Sequence, residues 1–310
     1  MKRLAGWNAV DWATAIYAAF VAALAVICAS AVPKWSSIVL WHTGLVVALL
    51  WLPPRGAPWE RTRVGEPPWQ SRTRAVVRFL RYTYPALLLT PFFEEVALTM
   101  NAVFPHDPHW FEGWLFAADR ALFGGIPAVM LSERGGPILD EIMHALYFAY
   151  YPLLISGIVV AWKGATRGDE RPGAGFHRVF TGMMLGFFLS YVWYPFLPAR
   201  GPWEHPAVMS SLRPFGGWVF TRIIEVIIRH AAVSGGCFPS AHVSGTWALT
   251  FGLYATRHKA ARWFGLVALG LSVACVYTRY HHGVDVLAGF TVGAIGAATG
   301  YRLARRAPNA

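Results

Sequence analysis

The sequence predicts an all-α fold, a multi-pass membrane helical bundle of about eight transmembrane helices. Three observations carry this reading. Of the 310 residues, 55% are hydrophobic and only 14% charged, where a soluble domain carries about a quarter charged residues. The apolar residues fall in runs near the ~20 residues that a bilayer requires. Between these runs no stretch is suited to a soluble domain, and no internal repeat stands out.

The first run spans roughly residues 13–32. Lys2 and Arg3 before it and Ala29-Ser30-Ala31 at its end mimic a secretory signal. Ala13 to Val32 is long enough to cross, so a retained helix is expected. Ile27 before Cys28 argues against lipoprotein processing, which wants a small residue there. The second run, 37–53, leads into a linker over 54–78 holding Pro54, Pro58, Pro67 and Pro68. The chain thus divides into two leading helices with a basic linker, 1–78, and six later helices, 79–310.

The third run, 79–100, contains Glu94 and Glu95. Ionisable residues inside a span are functional candidates, or else a pair near the outer end reaching water or an arginine. The fourth, 139–162, opens with Asp140, Glu141 and His144 and carries Tyr147, Tyr150 and Tyr151. Aromatics at helical spacing read first as bundle packing, with a headgroup pocket as the alternative. The remaining runs are 177–198, 240–256, 262–280 and 284–303. Gly289, Gly293, Gly296 and Gly300 make a small-residue stripe on the last, which points to close helix packing. Residues 218–230 and 109–124 are amphipathic and read as helices lying in the interface plane, either capping the bundle or gating substrate.

Orientation follows from lysine and arginine. With the N-terminus and even-numbered loops on one side, 18 of the 27 basic residues lie there and eight on the other. The first side is then cytoplasmic, both termini included, and loops 101–138, 199–239 and 280–283 face outward across a plasma (inner) membrane. The net charge of +11 is accounted for by these loops, and no nucleic-acid partner is expected. Cys28 and Cys275 lie inside apolar runs and Cys237 in a loop, so neither a disulfide framework nor a CxxC metal site is present.

CFPSAHVSG, 237–245, places a titratable ring at the mouth of the sixth run. His242 and His281 are separated by one helix in, a basic turn and one helix out, so both meet at the outer face. Asp285 stands four residues after His281, one turn away on the same face. A carboxylate there holds Nδ1–H and leaves Nε2 free as a nucleophile. His282 lacks such a partner and reads as a neighbour. Arg200 and Arg279 fall near the same mouth.

This set suits a phosphate ester. Arginines fork onto phosphate oxygens, and Ser240 with backbone N–H groups near Gly236 can donate to others. One histidine attacks phosphorus while the other protonates the leaving alkoxide. A zinc site built from His242, His281, His282 and Asp285 is disfavoured, because the arginines would repel a cation.

PSAH at 239–242 followed by YTRYHHGVD at 277–285 resembles the type 2 phosphatidic acid phosphatase superfamily, the lipid phosphate phosphatases. The resemblance covers about 79–310 and implies a six-helix core, with His281 as nucleophile, Asp285 as its orienter and His242 as general acid. The family's first motif wants a lysine where Trp193 stands, and its third wants an arginine where Cys275 stands, with Arg279 nearby instead. RYHHGVD and ADRALFGGIP, 118–127, are most similar to the branch holding inositol phosphorylceramide synthases, which transfer a phospho-headgroup between lipids. The expected protein is a metal- and cofactor-independent phosphoric ester hydrolase or phosphotransferase acting on a lipid phosphate at the extracytoplasmic face. A headgroup transferase to inositol or another alcohol, and a non-catalytic lipid-binding protein, are the alternatives.

Overall fold

The computed structural model describes residues 6–55, 57–60, 65–100, 103, 110–165, 173–210 and 212–305. Lys2, Arg3, Arg61, Arg63, His109, Arg167, Arg171 and Arg306, which enter the sequence reading, lie outside the described residues. The described chain is a helical bundle. In order its helices are α1 (Ala9–Ile27), α2 (Trp35–Trp51), α3 (Pro68–Leu87), α4 (Leu89–Thr99), α5 (Glu112–Phe123), α6 (Pro127–Ser132) and α7 (Pro137–Phe148). There follow α8 (Tyr150–Ala165), α9 (Ala174–Trp193), α10 (Pro206–Met209), α11 (Val219–Ala231), α12 (Ala241–Ala255), α13 (Ala261–Tyr277) and α14 (Gly283–Arg305). By length and composition Ala9–Ile27, Pro137–Gly164 and Gly283–Ala304 suffice to cross a membrane, and Trp35–Trp51 and Ala261–Tyr277 are shorter apolar helices. Ile16, Leu40, Ile155 and Leu266 are exposed on outward faces, the surface expected where the solvent is lipid.

Two expected spans are each split in two, and proline explains both breaks. Pro85 has no N–H to give the Arg81 carbonyl, and that carbonyl instead accepts from Arg55 at 3.3 Å. Pro91 follows in the first turn of α4, so the run of 79–100 becomes α3 and α4. Pro152 likewise leaves the Phe148 carbonyl without its helical donor, and the fourth run divides at Ala149.

The core is a wedge of α9, α12 and α14, the most intimately packed helices of the described chain. The glycine stripe makes this possible. A Cβ on Gly289 would stand 2.6 Å from the Ser240 carbonyl oxygen, and one on Gly293 2.7 Å from that of Ser244. One on Gly296 would stand 2.8 Å from the Gly186 nitrogen, so α14 lies against both neighbours backbone to backbone. Ser190 and Ser244 close the α9–α12 contact with a 2.7 Å hydrogen bond.

The leading helices pack on this wedge through α1. Asn8 caps α1 by accepting from Val10 and Asp11, and Asp11 returns a bond to the Asn8 N–H at 3.1 Å. Asp11 then gathers Arg55, Arg81 and Tyr84, while Asn8 meets His177 at the start of α9. Inside the bundle, Glu95 pairs with His42 of α2 at 2.8 Å, which supplies the partner that the sequence did not name.

The amphipathic segments form α5 and α11. Glu141 fixes α11: its carboxylate accepts from Trp218 at 2.7 Å, Val219 at 2.9 Å and Phe220 at 2.7 Å. A negative group at a helix N-terminus satisfies the free N–H groups and complements the dipole. Asp119 of α5 does the same for α14, accepting from Gly283 at 3.2 Å and Val284 at 2.8 Å.

Candidate active site

The site lies at the end of the bundle opposite Asn8 and His177. It is built from the loop after α9, the loop before α12, the start of α12, the end of α13 and the start of α14. An isolated parallel bridge between Ala199 and Gly236 joins the first two loops, with Ala199 N–H donating to Gly235 and Cys237 N–H to Ala199. Trp203 N–H donates to the Arg279 carbonyl at 3.0 Å, so the first loop also docks on the segment carrying His281.

His281 and Asp285 meet as one helical turn predicts. Nδ1 of His281 lies 2.5 Å from Oδ2 of Asp285, with both side chains buried. The imidazole Nε2 is 3.4 Å from Oγ of Ser240. Ser240 is also the N-cap of α12, accepting from the Val243 N–H at 3.4 Å. The His242 ring lies 5.5 Å from that of His281 between centroids, nearly perpendicular to it. His242 sits against Tyr150 at 4.4 Å, and its Nε2 is 3.4 Å from the Tyr147 hydroxyl.

Cys237 was missed by sequence reasoning as a site residue. Its thiol donates to the same Asp285 oxygen at 3.1 Å. Burial and then the nearby carboxylate push this thiol up, so it stays protonated and acts as a donor. Cys237, His281 and Asp285 hold their ligand atoms within 4.8 Å of one another, the one such group among the described residues. It is not the set weighed from the sequence. His282 instead turns to the Arg200 carbonyl at 3.1 Å and to Asp119 at 3.6 Å, which makes it the neighbour expected.

The guanidiniums of both arginines are engaged by groups other than the two histidines. The Arg200 guanidinium pairs with Glu112, with Nε at 2.8 Å, and lies over the Trp110 ring at 4.5 Å. Arg279, at a positive φ of 69°, is buried against Ser132 at 3.0 Å, the Arg213 carbonyl at 3.0 Å and the Phe215 ring at 4.2 Å. Burial lowers its pKa. The expectation that Arg279 reaches a phosphate beside His281 therefore has no support in this geometry. Its backbone sits two residues from His281, but the left-handed turn sends its side chain toward α6. The Gly236 N–H, expected as a donor to phosphate, is taken up by the Val233 carbonyl at 3.3 Å. The N–H groups of Ala241 and His242 in the first turn of α12 have no intrahelical carbonyl to meet.

One cavity of about 250 Å³ opens on this centre. His242, His281, Cys237 and Gly236 line it, with Tyr147, Tyr150 and Tyr151 of the fourth run. The tyrosines are thus pocket residues as well as packing, whereas His144 is buried elsewhere against Phe215 and the Asp140 carbonyl. Glu94 faces the same cavity, as do Trp203 and Glu204, which the sequence did not single out. Those two directly follow Arg200-Gly201-Pro202, and that nearness to Arg200 was the one available signal.

A model of the PAP2 superfamily matches residues 113–299, from the start of α5 through most of α14. No curated protein and no solved structure matches the chain. The matched stretch covers more than half of the sequence and contains both histidines, Asp285 and the helices that bring them together, and the protein belongs to the PAP2 superfamily of phosphatase-type phosphoesterases.

Proposed function

We propose that the protein cleaves or transfers the phosphate ester of a lipid through a phosphohistidine on His281. The observation that carries this is the 2.5 Å contact of His281 Nδ1 with Asp285, on a cavity that His242 shares. With Nδ1–H held by the carboxylate, the Nε2 lone pair attacks phosphorus. The bond from phosphorus to the leaving alkoxide breaks, and His242 gives that oxygen its proton. Water or an alcohol then attacks the phosphohistidine, His242 takes its proton, and the bond to Nε2 breaks. The same first half-reaction serves hydrolysis and headgroup transfer, including transfer to inositol. Ser240 and the α12 N-terminus face the incoming oxygens. Arg200, half-buried on the loop after α9, is paired with Glu112, and a substrate that displaces Glu112 gains its guanidinium.

The exposed aliphatic faces and the family support a lipid substrate, and the basic-residue asymmetry supports an extracytoplasmic site on a plasma membrane. The chemistry needs no metal or cofactor.

The test is turnover of labelled lipid phosphates by the purified protein, with and without alcohols, including inositol. Activity should survive EDTA, should vanish in His281→Ala, and should fall at least about a hundredfold in folded Asp285→Asn. Wild-type rates in either variant, or a chelator-sensitive enzyme rescued by zinc, would sink the reading.

A further inference from the structure

We infer that the cavity beside His281 and His242 is an aromatic cage for an ammonium group, so that the phosphate ester handled here carries an amino-alcohol headgroup. This rests on the phosphotransfer reading and names its substrate class. The walls are an unbroken arc of rings. Trp203 lies 6.0 Å from Tyr280, and Tyr280 5.0 Å from Tyr147. Tyr147 lies 5.2 Å from His242, His242 4.4 Å from Tyr150, and Tyr150 5.2 Å from Tyr151. Phe93 and Tyr191, 5.8 Å apart, add two more rings to the lining.

The charge of this lining is one-sided. Glu94 and Glu204 face the cavity, and among the described residues no lysine, arginine, asparagine or glutamine lines it. Glu94 has no ion-pair partner among the described residues, while the Glu204 carboxylate accepts the Ser234 hydroxyl at 2.5 Å and feels the Arg200 guanidinium from outside the lining. Two carboxylates in the lining repel a bare phosphate dianion. A zwitterion resolves this conflict: its ammonium settles among rings and carboxylates while its phosphate reaches Nε2 of His281. A ring face attracts a cation through its quadrupole, most strongly when the cation is desolvated. A sugar or cyclitol could use the tyrosine hydroxyls of this lining, but its uncharged ring gains nothing from the two carboxylates that an ammonium would neutralise. At about 250 Å³ the cavity holds a small headgroup and leaves the acyl chains to the membrane.

The test is calorimetric titration of the full-length His281→Ala protein in detergent with choline, with 3,3-dimethylbutanol (its uncharged carbon isostere) and with myo-inositol. Wild-type protein is titrated alongside to guard against misfolding. Choline should bind at least about tenfold more tightly than the isostere. Glu94→Gln and Glu204→Gln should each narrow that ratio severalfold. Equal binding of choline and the isostere, tighter binding of inositol, or an unchanged ratio in both glutamine variants would overturn the cage. The titration needs no turnover, so its failure is separate from a failure of the phosphohistidine reading, which shows in the lipid assay.

Discussion

The Cys237 thiol and the Nδ1–H of His281 donate to the same oxygen of Asp285, at 3.1 and 2.5 Å. Two donors share the electron density of one carboxylate oxygen, so each weakens the other's hold. Cys237→Ser keeps a donor and should stay within about threefold of the wild-type rate. Cys237→Ala removes it, and the carboxylate then stabilises the imidazolium more strongly. The acid limb of the pH–rate profile should move to higher pH in Cys237→Ala and stay in place in Cys237→Ser. A superimposable profile for the alanine variant would show that the thiol does not bear on the dyad.

His242 is expected to matter in proportion to how poorly the leaving group departs. His242→Ala should lose most activity on a lipid alcohol ester and retain more on an aryl phosphate, whose phenolate needs little protonation. Ser240→Ala should slow both substrates alike. It should also cost about 1 kcal/mol of stability, since Ser240 caps α12. Equal losses on both substrates in His242→Ala would assign that ring to phosphate binding.

The glycines divide sharply by environment. Gly289→Val forces atoms into the Ser240 carbonyl, from which even a Cβ would be 2.6 Å away. It should lower stability by roughly 1–3 kcal/mol and abolish turnover. Gly44, inside α2, has nothing within 4 Å of an added Cβ. Gly44→Ala should be neutral or raise stability by up to about 1 kcal/mol. Thermal unfolding in detergent reads both, and a tolerated Gly289→Val would contradict the packing.

The proposed orientation is checked by single cysteines at Ser210 and Gly168 in a background lacking the native ones. The probe at 210 should react with a membrane-impermeant reagent in intact cells, and the probe at 168 only after lysis. Labelling at 168 in intact cells would place the chemistry on the cytoplasmic side.

The dyad was legible because it is local: four residues on a helix bring Asp285 to His281 whatever surrounds them. His242 was legible because two helices of similar length return the chain to its starting face. The arginines were not. Arg279 is near His281 in sequence, but one left-handed backbone turn redirects its side chain, and no periodicity reports that. Arg200 is claimed by Glu112 from a helix 88 residues earlier in the chain. The breaks at Leu88 and Ala149 were written in Pro85, Pro91 and Pro152, but hydropathy runs smoothly across them. The cavity's character was the least visible part. Tyr147 and Tyr150 read first as packing, and Glu94 and Trp203 come from segments more than a hundred residues apart.

The glycine seam along α14 also decides where this molecule can breathe. Backbones meshed from Gly289 to Gly300 leave no side chains to swap rotamers, so α9, α12 and α14 cannot slide past one another without losing contact along the whole seam. Ile227, Ile228 and Ala231 of α11 also line the cavity, on a helix that packs on α7 with Thr221 and Ile224 buried and whose N-terminus is held by Glu141. The part of the cavity wall carried by the start of α12 is therefore fixed by backbone contact, which keeps His242 in register with the segment that carries His281.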